Sequence, residues 1–130
     1  MKIGKNFNTY GYIEPWRQDI ITIGDNVVFG SGSVIITHCP ISFYNGKSVE
    51  IIIGNNVYIG ARVLILPGIT IGNNVVIGAG SIVSKDIPSN VIAAGNPCIS
   101  IRNISEKEAL RIKLMTEQGI VANGTEPNYE

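Results

Sequence analysis

Histidine is almost missing from this chain: His38 is the single one in 130 residues. A zinc site built from several imidazoles of one subunit is thereby excluded, and no metal is expected. Surplus charge is missing too, since 10 basic and 10 acidic residues cancel. No basic run offers itself to nucleic acid and no acidic tail to a cationic partner. No stretch approaches the roughly 18 apolar residues of a membrane helix, and the N-terminus has no signal-peptide core, so a soluble cytoplasmic protein is expected. The two cysteines, Cys39 and Cys98, match no metal or redox spacing; reduced, at least half-buried thiols are expected rather than a disulfide. Rings are scarce, nine in all and eight of them before position 60, which leaves Ile and Val to fill the second half. What abounds is glycine, 15 residues against 6 prolines, recurring at a fixed interval rather than in a low-complexity tract.

That interval is six. Ile53, Ile59, Ile65, Ile71, Ile77 and Val83 follow one another without a break, with Gly54, Gly60, Gly72 and Gly78 behind four of them. Ile23, Phe29 and Ile35 keep the same spacing upstream. A second apolar or small column, Val57, Val63, Ile69, Val75, Ser81 and Ile87, runs four residues later in each unit. A period of six suits neither a helix nor one long strand. It suits short strands joined by tight corners, three to a triangular coil, with coils stacked about 4.8 Å apart. Asp25-Asn26, Asn55-Asn56 and Asn73-Asn74 fill the same two slots of their hexads, where left-handed backbone values are tolerated. The expectation is an all-β solenoid of about four or five coils over residues 1–102. Its C-terminal end is capped by a helix within 103–119, opened by the capping-box pattern Ser105-Glu106-Lys107-Glu108 and stopped by Gly119. Ala109, Leu110, Ile112, Leu114 and Met115 would form its apolar face. Residues 120–130 read as a loose tail.

The period fails between Ile35 and Ile53. Thr37-His38-Cys39-Pro40 interrupts the coil, and Asn45-Gly46 marks a tight turn within an excursion loop at about 39–50. Insertions in solenoids project from one face, often the binding face, and His38 stands at the root of this one.

The segment Ile51–Arg102, above all Gly-Ala-Gly-Ser-Ile-Val-Ser-Lys-Asp-Ile-Pro (78–88) and Ala-Ala-Gly-Asn-Pro (93–97), resembles the hexapeptide-repeat acyltransferases of the galactoside/maltose O-acetyltransferase type. With Ile23-Gly24-Asp25-Asn26 and His38, the likeness covers about 80 residues. It implies a left-handed parallel β-helix, a homotrimer, and acetyl-CoA held between neighbouring subunits. His38 stands where the family carries its catalytic histidine. Removing a proton from a hydroxyl at neutral pH suits imidazole, and the amide near Gly60-Ala61 of an adjacent chain would receive the developing oxyanion. Ala61, Ala79, Ser84 and Lys85 match positions lining the CoA cleft, with Lys85 and Arg102 meeting phosphates as charges; Ile99 stands where the family often has a second basic residue.

Tyr10, Tyr12, Glu14, Trp16 and Arg17 form an aromatic and charged cluster. Tyr10 and Trp16 are its candidates for stacking on a carbohydrate acceptor, though rings capping the first coil are the bland reading of the same residues. Tyr10 stands where small-sugar enzymes of the family carry an acceptor-binding Asn, so a sugar of a surface polysaccharide or its precursor is preferred to galactoside or maltose. Lone readings of the other residues are as plain: His38 satisfying a loop hydrogen bond, Lys85 a solvated corner residue. Three competing functions stand beside O-acetylation: N-acetylation of an amino sugar, a catalytically silent scaffold, and a carbonic anhydrase, which one histidine per chain argues against. A Cys39–His38 nucleophile pair is disfavoured because neighbours in an extended segment point apart.

Overall fold

The computed structural model describes residues 1–38 and 49–130; the excursion loop, with Cys39, lies largely outside them. The chain winds in triangular coils, and equivalent strands stack into three faces. The first face stacks β1 (Lys2–Ile3), β4 (Ile21–Ile23), β7 (Ile51–Ile53) and β10 (Thr70–Ile71). The second stacks β2 (Phe7–Thr9), β5 (Val27–Phe29), β8 (Val57–Ile59), β11 (Val75–Ile77) and β13 (Val91–Ala94). The third stacks β3 (Tyr12–Ile13), β6 (Val34–Ile35), β9 (Leu64–Ile65) and β12 (Ile82–Val83). All these pairings are parallel, and the coil is the left-handed β-helix.

Both sequence columns point inward. Ile53, Ile59, Ile65, Ile71, Ile77 and Val83 are buried, as are Val57, Val63, Ile69, Val75, Ser81 and Ile87. Successive residues of a strand face opposite sides, so two inward residues per hexad leave one outward residue between them. Ser81 is the polar member of the column. Its hydroxyl donates to Gly78 O at 2.6 Å and accepts from Gly95 N at 3.0 Å, so its burial leaves nothing unpaired.

The corners carry a continuous ladder. Asn6, Asn26, Asn56, Asn74 and Asn90 all have left-handed backbones, φ 56–66°. Each of the first four donates from Nδ2 to Oδ1 of the next, at 2.8, 3.0, 3.1 and 3.0 Å. Asparagine serves here because it tolerates positive φ and its amide both donates and accepts. The regular coil is 18 residues long, from Asn56 to Asn74. The coil bearing the excursion runs 30, from Asn26 to Asn56, so its extra 12 residues leave the register of every face intact.

Two expectations at the C-terminus are corrected. After β13 the chain turns back, and β14 (Ile99–Asn103) pairs with β13 antiparallel instead of continuing the coil. Helix α1 (Glu106–Glu117) carries the expected capping box, with Ser105 Oγ accepting from Glu108 N at 3.1 Å and Glu108 Oε1 accepting from Ser105 N at 3.0 Å. It does not sit as a lid on the last coil, however. It comes against β5, three strands away along the second face, whose outward residue Val28 is only 2% exposed. Of its expected apolar face, Ile112 is buried while Leu110 is exposed. Thr116 is buried beside Ile112, its hydroxyl bonded to the Ile112 and Lys113 carbonyls.

Residues 120–130 are not a loose tail. Val121–Asn123 form a 3-10 turn, Pro127 is buried, and Arg111 pairs with Glu126 at 2.7 Å. The Gln118 amide exchanges two hydrogen bonds with the Asn128 backbone. Cys98 is a free, buried thiol, and burial pushes its pKa up, away from the thiolate form.

Candidate active site

His38 follows β6 at the edge where the third face turns into the first. The neighbouring rung of that edge supplies Glu14, because β3 and β6 pair Ile13 with Ile35 and so set the residues after them side by side. Glu14 is fixed from both ends. Its N–H donates to Ile35 O at 3.1 Å, its Oε1 accepts from Thr37 N at 2.9 Å, and its carbonyl accepts from the Thr37 hydroxyl at 3.3 Å. The other carboxylate oxygen, Oε2, faces His38 Nδ1 at 3.7 Å. Glu14 is 20% exposed and His38 71%, so the carboxylate is an anchored group beside an accessible ring. Nδ1 is the ring nitrogen nearest that carboxylate.

The opposite edge of the third face is built mostly from small residues. Tyr10, Gly30, Gly60, Gly78 and Ala94 lie along one line, and Ser31, Ala61, Ala79 and Gly95 along the next. Ala61 O accepts from Gly80 N and Ser31 O from Arg62 N, both at 2.9 Å. The N–H groups of Ala61 and Ala79 donate to no group among the described residues, and both residues are exposed. A shallow cleft of about 370 Å³ opens here, lined by Tyr10, Val28, Gly30, Ser31, Tyr58, Ala61, Val121 and Ala122. Tyr10 and Ala61, expected to serve acceptor and CoA respectively, thus share one wall. Trp16 is 71% exposed and does not line this cleft. The third slot of this edge holds Gly32, Arg62 and Gly80, all with positive φ. Glycine suits that backbone; in Arg62 it costs roughly 1–2 kcal/mol.

Ser84 and Lys85 are exposed and lie on the His38 edge, since β6, β9 and β12 stack Ile35, Ile65 and Val83. Two rungs, about 10 Å, separate the residues following Ile35 from those following Val83. Arg102 is elsewhere, on β14, where its guanidinium clasps Glu108 through two bonds of 2.9 Å. That clasp, and then the bonds from Ser105, hold the Glu108 carboxyl down to about 2 from an ordinary 4.5. A depressed folded-state pKa gives a contribution that is complete above pH 4.5 and fades as the pH falls toward 2. The urea midpoint of the wild type should therefore exceed that of Glu108→Gln near neutrality, and the two should converge between pH 4.5 and 2. A gap that stays constant across that window would mean the pair is not formed. The side chains are 55% and 38% exposed, so the gap should be small.

One chain does not bring all the expected residues together. His38, Ser84 and Lys85 stand on one edge of the third face, Tyr10, Ala61 and Ala79 on the other. The face spans the run from Ala61 to Leu66, on the order of 15 Å at about 3.3 Å per extended residue. Sequence reasoning placed Glu14 in an acceptor cluster and missed it as the neighbour of His38. It also missed Tyr58, Val121 and Ala122 in the cleft wall. The visible signal for Tyr58 was its place between two inward residues, Val57 and Ile59. Among the described residues no His, Cys, Asp or Glu cluster is arranged to hold a metal ion, and no helix is long and apolar enough to cross a membrane.

Comparison with known proteins follows the same outline. Residues 50–85 match the family described as bacterial transferase hexapeptide (six repeats), and residues 20–42 the hexapeptide repeat of succinyl-transferase. The galactoside O-acetyltransferase of Escherichia coli K12 is 47% identical over 112 residues, covering 82% of this chain and 55% of that protein. Protein CapG of Staphylococcus aureus is 47% identical over 108 residues, covering 78% of this chain and 60% of that one. Among solved structures, a maltose O-acetyltransferase from Clostridium difficile 630 aligns with a TM-score of 0.67 at 45% identity, over 80% of this chain and 59% of that one. A galactoside acetyltransferase in complex with coenzyme A aligns with a TM-score of 0.62 at 38% identity, over 82% and 61%. The chain thus spans a little over half the length of the relatives it matches. It belongs to the hexapeptide-repeat, left-handed β-helix acyltransferase family, of the galactoside/maltose O-acetyltransferase type.

Proposed function

We propose that the chain transfers an acetyl group from acetyl-CoA to a hydroxyl of a sugar, with a surface polysaccharide or its precursor favoured as acceptor. The observation that carries this reading is the anchored Glu14 beside the accessible ring of His38. Acetyl-CoA supplies a thioester carbonyl ready for acyl transfer. His38 Nε2 accepts the acceptor hydroxyl proton as oxygen attacks that carbonyl, and returns it to the departing sulfur. Glu14 keeps the ring proton on Nδ1 and offsets the positive charge the ring gains. The Ala61 and Ala79 N–H groups, unused among the described residues, suit the pantetheine carbonyls and the negative charge growing on the thioester oxygen. Ser84 and Lys85, on the His38 edge, would meet the same molecule from the protomer that supplies His38, and Lys85 and Arg102 would oppose the nucleotide phosphates. Arg102 does so while clasped by Glu108, with donors to spare.

Because the two edges stand on the order of 15 Å apart, His38 of one protomer would act on a thioester lying along Ala61 and Ala79 of its neighbour. That arrangement needs a closed oligomer, and a homotrimer is proposed. The test is acceptor-dependent thiol release from acetyl-CoA over a panel of neutral, acidic and amino sugars. No release above the acceptor-free rate with any of them overturns the reading. Glu14→Gln should lower kcat on the order of 10²-fold with little change in KM for acetyl-CoA. The loss falls short of the ~10⁴ seen for a buried orienting carboxylate, since Glu14 stands 3.7 Å away and partly exposed. An unchanged kcat would remove Glu14 from the mechanism.

A further inference from the structure

The chain has four arginines, and three of them are neutralised. Arg17 pairs with Asp19 at 2.9 Å, Arg102 with Glu108 at 2.9 Å and Arg111 with Glu126 at 2.7 Å. Among the described residues Arg62 alone has no carboxylate partner, and its side chain makes no hydrogen bond. It is also the one that occupies a glycine slot. The same corner position is Gly32 one coil before and Gly80 one coil after, and all three have φ between 55 and 75°. A residue kept on an unfavourable backbone, with its charge uncompensated, is a candidate for a role outside the fold's own stability.

Its placement narrows the role. A Cβ added at Gly32 would lie 3.3 Å from Arg62 Cγ, while one added at Gly80 would meet nothing within 4 Å. The arginine stem therefore leans toward the N-terminal coils, the side of Tyr10 and Ser31. It leans away from the following coil, which carries Ala79 and, at its far edge, Lys85. The adjoining residue, Ala61, lines the cleft with Tyr10 and Ser31. Arg62 itself does not line the cleft but stands one residue beyond its wall at Ala61, and a guanidinium is a planar fork that matches a carboxylate or a phosphate.

We propose that Arg62 selects an anionic acceptor: the sugar acylated at this site bears a carboxylate or a phosphate, held by Arg62 while its ring rests against Tyr10. The proposal rests on the transferase reading and adds to it the charge of the substrate. The test compares a neutral hexose, the matching uronic acid and the matching hexose phosphate as acceptors, for wild type, Arg62→Lys and Arg62→Gly. Wild type should favour the anionic acceptors by tenfold or more in kcat/KM. Arg62→Gly should lower that anionic-to-neutral ratio by about 10–100-fold, with Arg62→Lys between them and the preference shrinking as salt is raised. The uronate and phosphate arms distinguish which anion is used. Arg62→Gly should also raise Tm, a change that a purely structural role would produce without moving the ratio. A ratio that is the same in wild type and Arg62→Gly overturns the proposal. Calorimetric binding of the uronic acid and the hexose phosphate provides a readout apart from turnover. Should no sugar release thiol, the transferase reading fails; Arg62-dependent binding of either anion would still support the anion site, and its absence would overturn that too.

Discussion

His38→Ala is expected to reduce kcat/KM by about 10²–10⁴-fold, the range over which a positioned general base contributes. At about 1.36 kcal/mol per decade this is roughly 3–5 kcal/mol of lost transition-state stabilisation. The loss should fall on kcat. His38 is well exposed and follows the last inward residues of its coil, so its truncation leaves the Ile35 and Thr37 packing in place. An exposed substitution of this kind typically changes stability by less than about 0.5 kcal/mol, and the urea midpoint should stay where it is. KM for acetyl-CoA should also stay, because the residues proposed to hold that molecule lie on other rungs or on the opposite edge. Turnover within threefold of wild type would end the base assignment and leave the scaffold reading standing. A large loss accompanied by a shifted urea midpoint would instead trace to folding.

The site was only half legible in the sequence, and the reason is register. His38 could be found because it is the single histidine and stands where the period of six breaks. Glu14 could not be paired with it by counting. The step from Asn6 to Asn26 is 20 residues rather than 18, and from Ile13 to Ile35 it is longer still. The 3-10 turn at Gln18–Ile20 absorbs part of that surplus, and nothing in the local sequence states how many residues it takes up. Only the pairing of the inward Ile13 and Ile35 puts the following residues side by side. The cleft wall was hidden for another reason. Val121 and Ala122 reach Tyr10 and Ala61 through the docking of α1, a contact with no periodic trace.

The solenoid itself could be read almost completely, because each coil repeats one physical solution: two inward apolar residues, a corner asparagine, a glycine without room for a Cβ. At Gly54, for example, a Cβ would strike Gly72 O and Asn73 Oδ1. Handedness was not in that pattern, since the usual crossover preference is right-handed; it came from resemblance. The C-terminal end was misread because Ile99 and Ile101 continue an apolar alternation although both are exposed on β14. Helix α1 was legible from its capping box, but its seat was not. The outward column Val28, Tyr58, Val76 is too apolar for a solvent face and marks where a covering element belongs.

The largest stability loss is expected from Phe29→Ala. Phe29 is fully buried and stands in the inward column otherwise filled by Ile and Val. Truncating a buried phenylalanine costs about 3–5 kcal/mol, the upper values applying where the walls cannot collapse into the space. Here they cannot. The residue over the ring is Gly11, where a Cβ would run into the Phe29 ring edge, so no side chain there can swing inward. The flanking strands are tied to β5 through Thr9 and Ile59 in register. In a stacked solenoid each coil is held chiefly by its neighbours, so the damage should spread outward from the second coil. Hydrogen exchange should accelerate most in β1–β6 and least in β10–β12. Phe29→Leu, which keeps most of the volume, should cost under about 1.5 kcal/mol. Urea unfolding that shows Phe29→Ala losing less than about 1.5 kcal/mol, or exchange that quickens uniformly along the coil, would contradict a core built rung by rung around that ring.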